Sequence, residues 1–473
     1  MKKFLKLFSL LMAAVLILSF SGCGKNETKK DKEALYSESN VDLKGRTVTV
    51  GVPNQMVRYM PQEDDSQFSQ YMNEYTKHVN KVRLAREKEA EEKFNCNIEW
   101  KVIEGNKLLS SLKSGNDTPD ILMLNANSGI LDLITENLIL PLDDYIDFES
   151  GLYSNSVQKS SLWRGKHYGL SGDWVHSGQI ITYNKTMIQK AGFTDPYELM
   201  KTDQWTWESF LDMLKQLTVP DENNPSNSTW GMVDSDFRSV YINFIYSNGG
   251  DYISENNGKF ELMLESPNTM EAIRFVTDLY ENYKVVYNTL GSGNNRRQGA
   301  EIFRSGKAAF YGGYYNGSSR NNNQGNNPQF ETGIVPYPKG NSASGYTSYY
   351  NAGSNNAGSN IYCIPATTKQ PEGIAKVLHC LLSIYDSTKS DYINYETEVL
   401  AEASEEQTEI NKILSENLTY TWFLSDAKYS TPLNDIITGI ITDKKSIEES
   451  INSQKELLNT LLSTLNQKIS QQE

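Results

Sequence analysis

A two-lobed α/β protein is what this sequence predicts, on three observations. Past residue 45 the chain alternates strand and helix patterns in the order expected of a parallel sheet. At 473 residues it is too long for one typical core. Its hydrophobic share of 38% against 22% charged residues is that of a folded chain rather than a disordered one.

Arg46–Val52 alternates Val48, Val50 and Val52 and predicts a first strand. Tyr75–Phe94 predicts a long charged helix, and Asn97–Ile103, with Ile98, Trp100 and Val102 in alternation, a second strand. Leu108, Leu109 and Leu112 predict a short helix stopped at Gly115. The apolar run Ile121–Leu124 reads as a buried strand, followed by a helix over Ile130–Ile134. Ligands of such sheets bind beyond the carboxyl ends of the strands, which singles out Asn125 to Ser128.

Gly165-Lys166 is a turn between two extended segments, and the polar passage Ser171–Gly178 carries Asp173, Trp174 and His176. Gln179–Tyr183 predicts a strand, with Asn184 as N-cap of a helix ending at Gly192. Thr206 caps a helix whose buried stripe is Phe210, Leu211, Leu214 and Leu217. Further helices are expected at Arg238–Tyr246, after Ser266-Pro267 and at Gly299–Ser305, with strands at Thr229–Val233 and Lys307–Tyr311. Asn316–Gln329 and Lys339–Asn360 are rich in Asn, Gly and Ser, the second interleaved with tyrosines suited to an adaptable binding surface. A strand at Ile361–Pro365, a helix at Glu372–Ile384 and an amphipathic helix at Ser446–Ile469, with Ser446 and Glu449 as a capping box, close the chain.

The N-terminus has the form of an export signal. Lys2, Lys3 and Lys6 precede a short apolar run, Leu7–Phe20, and then Phe20-Ser21-Gly22-Cys23, which resembles a bacterial lipoprotein cleavage box. Residues 1–22 are expected to be removed and Cys23 to carry the lipid, with 23–40 as a flexible tether. Loss of three lysines takes the formal charge from −14 to −17. An acidic chain without a basic stripe is no partner for nucleic acid. The remaining cysteines, Cys96, Cys363 and Cys380, lack metal-ligand spacing and read as buried small hydrophobes. The four histidines lie apart, no GxSxG elbow or phosphate loop occurs, and Asp221–Ser228 lacks the glycine and final glutamate of a calcium loop. No cofactor and no metal are therefore expected. Carboxylates abound, which leaves a carbohydrate-cleaving lipoprotein as the rival reading.

In this order, Thr118–Leu122 (TPDIL), Leu138–Tyr145 (LILPLDDY), Gly165–Leu170 (GKHYGL), Ile181–Gly192 (ITYNKTMIQKAG), Trp205–Phe210 (WTWESF), Phe303–Phe310 (FRSGKAAF) and Gly333–Pro338 (GIVPYP) resemble the bacterial extracellular solute-binding protein family 1, the sugar receptors of ABC importers. The resemblance implies a periplasmic-binding-protein-like fold with a hinge and an interlobe ligand cleft. It gives 41–174 with 361–415 to the first lobe and 178–350 with 416–473 to the second. It implies a non-catalytic, monomeric receptor, anchored by Cys23 on the extracellular face of the membrane. Such a receptor delivers a mono- or oligosaccharide to a permease. The matching ligand-contact positions are Asn125 and Asn127, the crossing residues Asp173, Trp174, His176 and Ser177, then Phe237, Tyr241, Tyr314, Tyr315 and Tyr429. A sugar offers hydroxyls at its rim and apolar faces, so aromatic rings and planar polar groups suit it. Replacing Trp174 by Ala is expected to weaken solute binding in calorimetric titration while leaving the circular dichroism of the fold unchanged.

Overall fold

Strand alternation decides which face of the first sheet each side chain takes. The computed structural model describes residues 41–61, 74–125, 128–150, 153–171, 179–224, 227–234, 236–287, 295–314, 328–349, 360–383 and 404–472. β1 (Arg46–Pro53), α1 (Glu74–Phe94), β2 (Cys96–Ile103), α2 (Gly105–Ser114), β3 (Ile121–Asn125) and α3 (Ile130–Thr135) follow one another as the sequence predicts. β1 pairs in parallel with both β2 and β3. Val48, Val50, Val52, Ile121 and Met123 bury against Ala90 and Phe94 of α1, while Leu122 and Leu124 bury on the other side with Leu108, Leu112 and Ile130.

α4 (Asn155–Ser161) leads into the hairpin of β4 (Leu162–Trp163) and β5 (Lys166–His167), and β6 (Leu170–Ser171) follows. The hairpin turns on Arg164 (φ 46°) and Gly165 (φ 80°), the left-handed pair that a tight two-residue turn requires. β7 (Gln179–Asn184) opens the second lobe, and the Asn184 side chain caps α5 (Lys185–Lys190) by accepting the Met187 N–H at 2.9 Å. α6 (Pro196–Lys201) and α7 (Trp207–Leu217) come next, the latter started by a reciprocal Thr206–Ser209 box. Then come β8 (Trp230–Asp234), α8 (Phe237–Ser247), the hairpin β9 (Ile253–Asn256) and β10 (Lys259–Leu262), α9 (Pro267–Glu281), α10 (Asn295–Arg304), β11 (Ala308–Tyr314) and β12 (Thr332–Val335). The second sheet has the order β12-β7-β11-β8, with β7 antiparallel to both neighbours and β11 parallel to β8.

After β13 (Ser348–Tyr349) the chain returns to the first sheet as β14 (Asn360–Cys363), giving it the order β2-β1-β3-β14-β6. α11 (Pro371–Leu382) covers one face with Ile374, Val377, Leu378 and Leu381. α12 (Glu405–Glu416), β15 (Leu418–Thr419), α13 (Trp422–Ser425), α14 (Ala427–Ile441) and α15 (Ile447–Ser470) complete the fold. β15 pairs in parallel with β13. Cys96, Cys363 and Cys380 are buried free thiols, and burial pushes Cys96 up to about 11 and Cys363 to about 12.

Three features differ from the sequence reading. α12 falls within the stretch expected in the first lobe, yet it packs on β12 as well as on α4, because Glu406 reaches Lys185 Nζ at 2.5 Å and accepts the Tyr183 hydroxyl at 3.2 Å. Ser266 stands at the N-cap of α9 without capping its backbone; its hydroxyl donates instead to Thr269 Oγ1 at 2.9 Å. Of the Ser446 box, the Ser446 half closes, accepting the Glu449 N–H at 3.0 Å.

Gly333 on β12 is the register partner of Tyr183. That ring is fully buried, and its hydroxyl is held by Asp195 as well as Glu406. A methyl group at 333 would overlap the ring. Gly333→Ala is therefore expected to destabilise the protein by about 1–3 kcal/mol through overpacking, read from the midpoint of urea unfolding.

Candidate functional site

The chain passes between the two sheets twice, after β6 and after β13, and the strand ends at these crossings carry polar residues. In the first lobe, Asn125 at the carboxyl end of β3 is the register partner of Asn360 at the start of β14, and Ser171 ends β6 beside Ile361. In the second lobe, Gln179 at the start of β7 pairs with Tyr314 at the end of β11, and Asp234 ends β8 opposite Gly312. Eight residue steps separate Ser171 from Gln179, so these two strand ends lie at most about 28 Å apart. The return from Tyr349 to Asn360 takes eleven steps. These are the carboxyl ends of the parallel strands, where α/β sheets place their ligands.

Neutral amides and hydroxyls stand at these strand ends. Asn243 of α8 donates from Nδ2 to Gln179 Oε1 at 2.7 Å, and its own carbonyl accepts the Tyr349 N–H at 3.4 Å. The Ser348 hydroxyl donates to the Gln179 backbone carbonyl at 2.8 Å. These bonds tie the second crossing strand to the first. Four further buried polar atoms have no hydrogen-bond partner among the described residues: Gln179 Nε2, Asn360 Oδ1, Ser128 Oγ and Asp234 Oδ1. An unmet buried donor or acceptor costs about 1–3 kcal/mol, and such groups in a native fold call for an explanation. These four stand at the strand ends flanking the crossings.

Asp234 is the one carboxylate in that set. Burial pushes it up to about 7, against the Tyr280 hydroxyl, which donates to its Oδ2 at 2.6 Å and favours the ionised form. The neighbouring charge of Asp236 adds to the upward shift.

The candidate positions read from the sequence divide into three groups. Asn125 is buried at the end of β3, and Tyr314 ends β11 opposite Gln179, so the backbone brings both to the strand ends at the crossings. Phe237 begins α8 just beyond Asp234, buried with the Arg238 guanidinium 4.9 Å from its ring. Tyr429, in the first turn of α14, is buried edge-on to Phe423, with the Lys428 ammonium 5.2 Å from its ring. Tyr241 does not stand at an edge: its ring is fully buried and its hydroxyl is 2.8 Å from Thr277 Oγ1 of α9, so it packs between helices. Asn127, Asp173, Trp174, His176, Ser177, Tyr315 and Cys23 lie outside the described residues. Sequence reasoning missed Gln179, Asn243, Ser348, Asn360 and Asp234. Gln179 and Asn360 carried a usable signal, each a polar residue placed directly before an isoleucine at the head of a strand.

A family model described as bacterial extracellular solute-binding protein matches residues 64–384. Among solved structures, UspC of M. tuberculosis superposes with a TM-score of 0.58 at 15% identity, over 88% of this chain and 99% of its own. A cyclo/maltodextrin-binding protein complexed with maltotetraose gives 0.57 at 15% identity, over 89% of this chain and 98% of its own. The GacH receptor of Streptomyces glaucescens, solved unliganded and with acarbose, gives 0.53 at 16% identity, over 88% and 99%. At these identities the likeness carries the fold, the two-lobed α/β architecture.

The Asp234 shift has a pH consequence. The native carboxyl holds its proton up to about pH 7, whereas an unfolded chain releases it near 3.8, so its contribution to stability falls as pH rises through that window. Asp234→Asn keeps a carbonyl for Tyr280 and removes the buried charge. It is expected to raise the unfolding temperature above pH 7, with the gain shrinking to nothing by about pH 4 in calorimetric scans.

Proposed function

The chain belongs to the bacterial extracellular solute-binding proteins, and from that premise we propose that it captures a carbohydrate between its lobes and delivers it to the permease of an ABC importer. One observation carries the choice of solute class: the strand ends at the crossings carry planar amides and hydroxyls at Gln179, Asn243, Ser348 and Asn360, and burial shifts the one carboxyl there, Asp234, toward its neutral form. A neutral, hydroxyl-rich molecule satisfies such groups. Two structural relatives were solved with maltotetraose and with acarbose bound, which supports the same class.

In this reading Asp173, Trp174, His176 and Ser177 cross between the lobes and face the solute, Trp174 as the platform for a sugar ring. Asn125 and Asn127 serve the first lobe, with Phe237, Tyr314, Tyr315 and Tyr429 opposite. The solute bridges both lobes and favours the closed arrangement through contacts that the open one lacks. The receptor performs no chemistry on it. Lipid on Cys23 holds the monomeric protein on the extracellular face of the membrane, beside its permease. Among the described residues no helix is long and apolar enough to cross a membrane.

Isothermal titration against a panel of mono- and oligosaccharides, including maltotetraose and mannobiose, tests this. Saturable binding of a glycan recovered intact by chromatography is the expected result. Silence across the panel alongside binding of peptides would overturn the solute class. Release of cleaved product, lost on replacing a cleft carboxylate, would replace the receptor by a carbohydrate-cleaving enzyme.

A further inference from the structure

Among the contacts that join the lobes, which include side-chain hydrogen bonds from Lys159 to the Leu418 carbonyl and from Gln472 to the Ile134 and Thr135 carbonyls and an Arg164–Glu255 ion pair, two sets differ most in how easily water can replace them. The first is apolar. Trp163 of the β4–β5 hairpin stacks on Phe260 of β10 with ring centres 4.9 Å apart and meets Phe423 of α13 edge-on at 6.0 Å. All three rings are buried, and the Trp422 indole donates to the Leu162 carbonyl at 2.9 Å. The second is ionic. Lys428 of α14 sits 2.9 Å from both carboxylate oxygens of Asp132 on α3. Lys468, in the last turn of α15, reaches Asp132 at 3.3 Å and Glu136 at 2.9 Å. These side chains are about a third exposed: 37% for Asp132, 33% for Lys428 and 30% for Lys468.

The ionic partners belong to different bodies. α3 follows β3 of the first sheet. α15 is fastened to the second lobe by Asn466, which accepts the Phe260 N–H at 2.8 Å and donates back to the Phe260 carbonyl at 2.9 Å. α14 packs on α15 and on α8 and α9 of the second lobe. The acids are held ready for their partners. Burial would raise the Asp132 carboxyl, but Lys428 and Lys468 together hold it below its ordinary value. Glu136 is lowered by Lys113 foremost and by Lys468.

We propose that Asp132 and Glu136, facing Lys428 and Lys468, form a breakable clasp between the lobes that sets how far the solute-free protein opens. The buried aromatic contact acts as the pivot, since separating it would return large apolar surfaces to water. The ion pairs exchange for water at little cost, so they tune the opening without locking it. The four are positioning residues; on the capture reading above, they change affinity by altering the closed population and touch no solute.

Small-angle X-ray scattering of the solute-free protein tests this. Lys428→Met keeps the apolar stem over Tyr429 and removes the charge, and Asp132→Asn keeps the shape of the acid. Each is expected to shift the open-to-closed ratio about two- to fivefold, read as a changed radius of gyration at unchanged circular dichroism. Lys428→Arg should restore the wild-type curve. Wild type in 1 M salt, where screening acts within about 3 Å, should move toward the variants. Scattering that is identical for wild type, both variants and high salt would overturn the clasp. So would a change confined to Lys428→Met, which would mark a packing role. Because no solute enters the measurement, failure of the carbohydrate reading leaves a positive result standing, and a flat scattering response leaves that reading untouched.

Discussion

The bond set around Gln179 is the constraint on which the two-lobed arrangement depends. Its backbone carbonyl accepts from Ser348, and its side chain holds Asn243, which in turn accepts the Tyr349 amide. One residue at the start of β7 thereby fixes where β13 runs, and β13 sets the point from which the chain returns to the first sheet. Backbone groups leaving a sheet edge must find partners or remain exposed to water. Here the Asn243 side chain supplies one to Tyr349, beside the parallel pairing of β13 with β15. Such bonds are directional, and each amide has donors and acceptors to spare, as Gln179 Nε2 illustrates. That leaves the junction both defined and able to take a new partner.

Much of the scaffold was legible because it rests on local rules. Val48, Val50 and Val52 alternate as a strand face must, and all three are fully buried. Asn184 and Thr206 cap the helices they precede, whereas the turn expected at Gly165-Lys166 falls one residue earlier, on the left-handed pair Arg164-Gly165, with Lys166 already in β5. The α14 helix was missed because Pro432 lies inside it, and proline reads as a breaker. α12 was missed despite a Ser404–Gln407 capping box, a signal present in the sequence and closed in the structure. The placement of α12 was not legible at all, since it turns on Glu406 meeting Lys185 and Tyr183, more than 200 residues away.

The candidate site was less legible, for a physical reason. Asn125 could be found because it follows an apolar strand, a position with a rule attached. Tyr241 carried the same kind of promise, a tyrosine one turn into a helix beyond a strand end. Yet helix periodicity turns its ring toward α9, where Thr277 meets the hydroxyl. Periodicity tells which residues share a face and not which face meets solute. Asn243, two residues further along α8, takes the other direction and reaches Gln179. Burial of polar groups is invisible in a sequence, and at this junction the polar groups are what differ from the core.

The charge pattern separates the junction from its surroundings. A chain of formal charge −14 carries its acids on the surface, and the contacts between the lobes use some of them with lysine partners. At the strand ends of the crossings, charge gives way to amides, and the carboxylate that remains is pushed by burial toward its neutral form. The separation is useful in a receptor that must close on its solute. On the carbohydrate-capture reading, ion pairs at the periphery would set the resting opening, while the amides and hydroxyls at the strand ends would read the shape and hydroxyls of the solute. If charge lined the cleft, the same ions that loosen the periphery would also compete for the solute site. Keeping the two apart lets the energy of closure vary without changing what the cleft recognises.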